Sequence, residues 1–341
     1  MGDWLITGGA GFIGSHIAET LLKRGKSVRI LDDFSTGSEE NLAAFKARLT
    51  VIKGDLNDPA ALRRAVQGAE VIFHEAALPS VSRSVADPIT SNRANIDGTV
   101  ALLWAAKEAG VRRVIFAASS AAYGDSPTFP RVETLLPQPL SPYAVSKLAG
   151  EHYLYAFWRC YGLETVSLRY FNVFGPRQDP KSQYAAAIPL FTTAILEDRP
   201  PIIYGDGEQS RDFTYVENVV HANLLAADAP GAPGKVFNVG CGSSVTVNQV
   251  IAAINKIFGK NVRSKHEPRR AGDVMHSLAD ISAAKTFLGY EPKVSFEEGL
   301  RKTVEFFKSA HSSAEAPALR SSAASAGEEE SAKADRRGQR E

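Results

Sequence analysis

In the first half of the chain apolar residues come in short unbroken runs, and these runs are separated by segments with apolar positions three and four apart. "DWLITGG", "SVRILDD", "LTVIKGD", "AEVIFHEAA", "RRVIFAASS" and "ETVSLRYFNV" each have the length and β-branched content of a strand, without the alternation of a strand exposed on one side. Between them "SHIAETLLKRG", "PAALRRAVQG", "SNRANIDGTVALLWAAKEAG" and "AVSKLAGEHYLYAFWRCYG" repeat at helical spacing, several ending in glycine. Strand, helix, strand in this succession predicts an α/β fold with a doubly wound parallel sheet, buried on both faces.

From about residue 176 the pattern loosens. Proline and glycine punctuate "GPRQDP" and "YGDGEQSRDF", and helices are expected near 186–197, 217–228, 246–258 and 296–308. The expected organisation is therefore a first domain over 1–175, a smaller C-terminal substrate-binding lobe over 176–308 interleaved with it, and a tail over 309–341. That tail is rich in Ala, Ser and mixed charge and has no aromatic residue, so it buries too little to offset its ordering entropy and is expected to be disordered.

Charge narrows the partners. Lys and Arg total 39 and Asp and Glu 38, a formal net charge of +1, which gives no electrostatic reason to bind nucleic acid or an anionic membrane. The two cysteines, Cys160 and Cys241, make neither a disulfide framework nor a zinc spacing and are expected to be buried thiols. The histidines do not cluster as metal ligands; His74 and His152 are read as structural. With a strand-like segment at the start and no apolar run of about 18 residues, the expected location is the cytoplasm.

Two stretches carry chemistry. "LITGGAGFIGSH" joins the first strand to the first helix, with Gly8, Gly11 and Gly14 at GxxGxxG spacing around Phe12 and Ile13. Glycines there permit a tight turn and bring backbone N–H groups against a diphosphate at a helix N-terminus. The downstream acid is Asp32, at the end of the second strand. A carboxylate there accepts hydrogen bonds from ribose hydroxyls and repels a 2′-phosphate, selecting NAD over NADP in a Rossmann-type sheet. Neighbouring Asp33 suits a loop-capping role better. "KGDLND" adds Asp55 and Leu56 after the third strand, where an adenine ring is clasped.

The second stretch is "LSPYAVSKLAG". Tyr143 and Lys147 stand one helical turn apart, with Ser141 as N-cap and Pro142 at the first helical position, so the two side chains share a face.

With these residues in place the chain resembles the extended short-chain dehydrogenase/reductases, and within them the nucleotide-sugar epimerases and dehydratases, over about residues 2–308. The motifs are "TGGAGFIGSH", "GDLND", "HEAALPSVSRSVADP", "NIDGT", "AASSAAYGD", "SPYAVSK", "RYFNVFGPRQDP", "GDGEQSRDFTYVENVV" and "RRAGDV". The resemblance implies that Tyr143 takes the sugar hydroxyl proton, that Ser119 hydrogen-bonds the same oxygen, with Ser120 in reserve, and that Lys147 binds the nicotinamide ribose and lowers the tyrosine pKa. It adds Ala76 and Ala77 to the NAD site. It places Arg211 and Arg270 on a substrate diphosphate, with Asn172, Asp273 and Ser277 as further substrate contacts. Pro79 stands where some epimerases of this kind carry a lysine, leaving that phosphate contact to Ser80, Ser82 or the backbone.

The implied reaction is NAD-dependent C4 epimerisation of a UDP-hexose. Dehydratases and decarboxylating relatives resemble one another in an acid after the Ser/Thr, and here Ser120 and Ala121 occupy those places. A tyrosine at position 277 resembles the enzymes restricted to UDP-glucose and UDP-galactose; the small Ser277 implies room for the 2-acetamido group of UDP-GlcNAc/UDP-GalNAc. Helix 144–162 and the one near 92–109 imply a homodimer through a four-helix contact. The alternatives kept open are a nucleotide-sugar 4,6-dehydratase and a non-catalytic NAD-binding scaffold.

Overall fold

The computed structural model of the chain describes residues 2–180, 187–269 and 274–312. Every strand expected from the apolar runs is present: β1 (Asp3–Thr7), β2 (Val28–Asp32), β3 (Leu49–Lys53), β4 (Ala69–His74), β5 (Arg113–Ser119) and β6 (Glu164–Tyr170). The short pair β7 (Val173–Phe174), β8 (Ile202–Tyr204), β9 (Ser210–Arg211) and β10 (Thr214–Tyr215) follow, then β11 (Lys235–Val239), β12 (Val245–Thr246) and β13 (Lys265–Glu267). One seven-stranded sheet runs β11-β6-β5-β4-β1-β2-β3, and all its pairings are parallel. Its seventh strand, β11, was not anticipated: it is five residues long and hidden behind the glycine-proline segment 230–234 in a region that reads as loops.

The unbroken apolar runs have a direct cause. Neighbouring residues of one strand point to opposite faces, and both faces are covered. Ile6, Ile30, Phe73, Ile115 and Val166 join one core with α1 (Phe12–Lys23) and, from later in the chain, α8 (Val216–Asp228). Leu5, Leu31, Ile72, Val114 and Phe116 join a second core under α2 (Pro59–Val66), α5 (Gly98–Glu108) and α6 (Pro142–Tyr161). The remaining helices are α3 (Val81–Ala86), α4 (Pro88–Asn92), α7 (Ala187–Leu196), α9 (Val247–Phe258), α10 (Ser282–Leu288) and α11 over 296–312. Helices α3 and α4 precede and run into the helical segment expected from Ser91. Helix α11 runs four residues into the segment expected to be disordered; the rest of that tail, 313–341, lies outside the described residues.

Helix α6 is built as its sequence requires. The Ser141 side chain accepts from the Ala144 N–H, Pro142 occupies the first turn, and Gly162 closes the helix in the left-handed conformation (φ 72°). It is fastened to β6 by a bidentate ion pair, with Arg169 Nε and Nη2 donating to Glu151 Oε1 and Oε2 at 2.8 and 2.7 Å. Both side chains are 4% exposed. Removing one partner would strand a buried charge, whereas the intact pair is a register pin rather than a large source of stability. Closest to the sheet, Gly150 faces the Phe116 ring; a Cβ at Gly150 would lie 2.5 Å from Phe116 Cζ.

Two expectations are corrected. Cys160 is exposed and Cys241 only half-buried, because residue 160 falls on the outer face of α6 and residue 241 on a loop after β11. His152 is exposed on α6 rather than structural, whereas His74 is fully buried, its ring nitrogens 2.8 Å from the hydroxyls of Thr7 and Thr99.

The α6–β5 contact yields a stability prediction. Gly150→Val drives three carbons into a buried ring, and overpacking of this kind costs about 1–3 kcal/mol. The urea midpoint should fall accordingly; a wild-type midpoint would mean that the Phe116 ring yields freely.

Candidate active site

A cleft of about 2000 Å³ opens at the C-terminal ends of the strands, where ligands bind in open parallel sheets. Its floor begins at the glycine loop. Gly8 has φ 68°, and a Cβ there would meet the Ala76 backbone nitrogen at 2.6 Å; a Cβ on Gly14 would come to 2.3 Å from the Gly8 carbonyl oxygen. The chain therefore packs backbone on backbone here, and Gly11 is the N-cap that starts α1 at Phe12, three residues earlier than expected. The loop presents Gly8, Gly11, Phe12, Ile13 and Gly14 to the cleft with a helix N-terminus behind them.

Asp32 ends β2 beside this loop. Its Oδ2 accepts from the Ala10 N–H and its Oδ1 from the Phe34 N–H, each at 2.8 Å. The first bond ties the carboxylate to the glycine loop, so one residue both shapes the loop and lines the cleft. Burial pushes the Asp32 carboxyl up, opposed by those two N–H groups. Asp33 caps its own loop, accepting from the Ser35 N–H and hydroxyl. Asp55 accepts from the Asn57 N–H at 2.8 Å, and Leu56, Ala76 and Ala77 complete this half of the lining. Glycines that admit no Cβ, a helix N-terminus and a carboxylate at the end of β2 fit a dinucleotide with free ribose hydroxyls. Pro79 lines the same cleft; Ser80 Oγ is spent on the Arg83 N–H as the cap of α3 and lies 3.3 Å from Ser82 Oγ.

The other half of the cleft collects the residues expected to do the acid–base work. Ser119 is the last residue of β5, and its Oγ accepts from the Ala121 N–H at 3.2 Å. Tyr143 stands in the first turn of α6, where the Ser84 hydroxyl accepts from its N–H at 3.0 Å. Lys147, one turn further on, is 4% exposed and donates from Nζ to the Ala117 carbonyl at 2.7 Å, above the Phe116 ring. Ser119, Tyr143 and Lys147 all line the cleft. Burial raises the Tyr143 phenol, the Ser119 hydroxyl lowers it by hydrogen bonding, and the Glu75 charge raises it further. Burial pulls the Lys147 ammonium down to about 8 against the opposing charge of Glu75.

Glu75 and Tyr170 are the residues that the sequence reading missed. Glu75 follows β4 and Tyr170 ends β6; the phenol donates to Glu75 Oε1 at 2.8 Å and accepts from Asn223 Nδ2 at 2.7 Å. Burial lifts the Glu75 carboxyl to about 7, with the Tyr170 hydrogen bond and the Lys147 charge lowering it. The available signal was the second acid of the run "AEVIFHEAA", set directly after its apolar stretch.

The substrate-side candidates converge on the far wall. Asn172 has φ 28°, with Nδ2 donating to the Asp212 carbonyl at 3.4 Å. Arg211 is on β9, its Nη1 donating to the carbonyls of Ser210 and Met275. Ser277 is paired across to this strand by its own N–H to Ser210 O (3.0 Å) and by Asp212 N–H to Ser277 O (2.8 Å). All three line the cleft. Buried Asp212 fixes this wall, its carboxylate accepting from the N–H groups of Cys241, Gly242 and Ala279. Arg270 and Asp273 lie outside the described residues. Among the described residues there is no His/Cys/Asp/Glu group arranged to hold a metal and no helix long and apolar enough to cross a membrane.

The chain as a whole is similar to known proteins. A family model described as the NAD dependent epimerase/dehydratase family matches residues 4–240. A UDP-glucose 4-epimerase of Mycolicibacterium smegmatis is 40% identical over 308 residues, covering 89% of this chain and 98% of that protein. A solved UDP-N-acetylglucosamine 4-epimerase from Methanobrevibacter ruminantium M1, in complex with UDP-N-acetylmuramic acid, superposes with a TM-score of 0.86 at 45% identity, covering 91% of this chain and 99% of that one. The UDP-glucose 4-epimerase of Thermotoga maritima with UDP-glucose superposes with a TM-score of 0.87 at 41% identity, covering 90% and 99%. The glycine loop, the Asp32 carboxylate and the match over most of the chain lead to one conclusion: this protein belongs to the NAD-dependent epimerase/dehydratase family.

Proposed function

We propose that the protein interconverts the C4 epimers of a UDP-hexose through a 4-keto sugar, taking UDP-GlcNAc/UDP-GalNAc and also UDP-Glc/UDP-Gal. The observation that carries the reading is the convergence of Ser119, Tyr143 and Lys147 in the same cleft as the glycine loop and Asp32. Bound in the dinucleotide half, NAD supplies the reversible uptake of hydride from the sugar. The chain's own work is to hold the sugar there and to move one proton.

In this reading Tyr143 takes the O4 proton while the Ser119 hydroxyl bonds the same oxygen. A free phenol titrates near ~10, and removal of its proton at neutral pH needs a drop of roughly three units, about 4 kcal/mol. In the chain by itself the shift runs the other way, because burial dominates. The drop therefore has to come from positive charge brought against the phenol, from Lys147 and the oxidised ring, in a pocket dry enough for charges to count.

Epimerisation needs no second acid, and Ser120 and Ala121, in the turn after Ser119, supply none. This favours epimerase over dehydratase. Small Ser277 on the substrate wall, and similarity to a UDP-N-acetylglucosamine 4-epimerase, support acceptance of the 2-acetamido sugar. Arg211 and Arg270 are assigned to the diphosphate, Asn172 and Asp273 to its surroundings; guanidinium forks suit that group.

A homodimer also belongs to this reading. Val81, Val85, Ile89, Trp104, Tyr153, Tyr155 and Tyr161 are exposed on α3, α4, α5 and α6, and Trp104 packs edge-on against Tyr161. So broad an apolar surface on neighbouring helices calls for a partner.

Purified protein given UDP-GlcNAc or UDP-Glc without added NAD should form the axial 4-epimer, seen by NMR; a product that has lost water would favour the dehydratase. Tyr143→Phe should lower kcat by about 10²–10⁴-fold while nucleotide binding persists. Ser277→Tyr should cut turnover of the acetamido sugar by at least about tenfold relative to UDP-Glc. Because burial lowers the Lys147 pKa, the ammonium is present below it and lost above it. Activity should therefore fall as pH rises through about 8, well before an exposed lysine would titrate.

A further inference from the structure

Glu75 is a carboxylate that the proposed proton transfer does not use, yet it stands within the same cleft. It follows β4 directly, where its N–H donates to the Thr7 carbonyl at 3.1 Å and its backbone passes over Gly8. Its side chain reaches across the end of β5 to Tyr170 on β6, and Tyr170 is held in turn by Asn223 of α8. Tyr170, itself fixed by Asn223, thus fixes the carboxylate in the cleft that also holds Lys147. A buried acid held this way at a strand end has no structural need to be charged; an amide of the same shape would fill the place.

We propose that Glu75 is a positioning residue whose carboxylate is the fixed countercharge of the active site, balancing the Lys147 ammonium and favouring the oxidised, cationic nicotinamide over the reduced, neutral one. The proposal rests on the NAD-dependent 4-epimerase reading. In that reaction the C4–H bond of the sugar breaks with its electron pair passing to the cofactor, the O4 proton passes to Tyr143, and the nicotinamide ring loses its positive charge. An anion close by makes that loss less favourable and the return of hydride to the ketone more so, which keeps the keto sugar transient.

The groups facing Glu75 are few. From α6 come Lys147, opposite in charge, and Tyr143, whose ionisation the carboxylate opposes; from β6 comes Tyr170, a donor. From α8 comes Asn223, which is uncharged, through Tyr170. On its own strand His74 is buried between two threonine hydroxyls, and burial lowers its pKa to about 3, so it stays neutral. Lys147 is thus the one cation of the described residues acting on Glu75, and the second positive charge arrives with the cofactor.

The test is Glu75→Gln, which keeps the Tyr170 hydrogen bond and removes the charge. Wild type and variant are equilibrated with a mixture of NAD and NADH, and the bound reduced fraction is read from the absorbance of the reduced ring. The ratio of reduced to oxidised dinucleotide bound should rise by about tenfold in the variant, the size expected of one fixed charge at short range. The alkaline limb of the epimerase pH profile should also move to lower pH, because Lys147 loses the charge that holds its proton.

A second variant, Tyr170→Phe, removes the hydrogen bond that helps ionise Glu75. Its dinucleotide preference should match the glutamine variant in a window above about pH 7, where Glu75 is ionised in wild type and still protonated in the variant, and return to wild type at higher pH. An unchanged ratio in Glu75→Gln, even with activity lost, overturns the proposal, and so does a preference in Tyr170→Phe that ignores pH. Wild-type protein that neither carries nor takes up either dinucleotide would instead overturn the epimerase reading, and the inference with it.

Discussion

The structure depends on how closely helix α6 lies against strand β5. Gly150 lets the helix backbone approach the Phe116 ring, and one turn earlier that approach brings Lys147 Nζ to 2.7 Å from the Ala117 carbonyl at the end of the strand. A side chain at residue 150 would lift the helix, and with it both Tyr143 and Lys147, away from the strand that carries Ser119. The Arg169–Glu151 pair sets the same helix along β6, so its rotation and its height are fixed by different contacts. The geometry of the candidate site is a consequence of helix–sheet packing, which places side chains more firmly than a loop would.

Charge is the second constraint. The cleft brings several ionisable groups out of water, and burial by itself pushes Asp32, Glu75, Tyr143 and Lys147 toward their neutral forms. Each is met by a specific partner: two backbone N–H groups for Asp32, Tyr170 for Glu75, the Ser119 hydroxyl for Tyr143, and the Glu75 charge for Lys147. The result is a site whose protonation states are poised between alternatives, which suits a group that must take up and return a proton in each turnover.

Similarity to the epimerases extends over nearly the whole chain, while the candidate substrate wall is built separately from the dinucleotide half. That wall is assembled from β9, the segment around Ser277 and the loop after β11, gathered on the buried carboxylate of Asp212. It owes nothing to the regular sheet, so its shape can change without disturbing Ser119, Tyr143 or Lys147.

By itself the chain's sequence determined what depends on local order. Unbroken apolar runs mean strands covered on both faces; Ser141-Pro142 and Gly162 mean the two ends of α6; the glycine spacing and Asp32 mean a dinucleotide loop, because each signal lies within a few residues of the feature it makes. Only the tertiary structure decided what depends on distant segments meeting. Strand β11, five residues in a loop-like region, became the edge of the main sheet because β6 was there to pair with it. Cys160 faces solvent because no other described residue covers that side of α6. Glu75, one acid in an apolar run, acquired Tyr170 and Lys147 from 95 and 72 positions away. A carboxylate's role is set by the charges around it, and those charges are brought together by the fold and not by the sequence that flanks it.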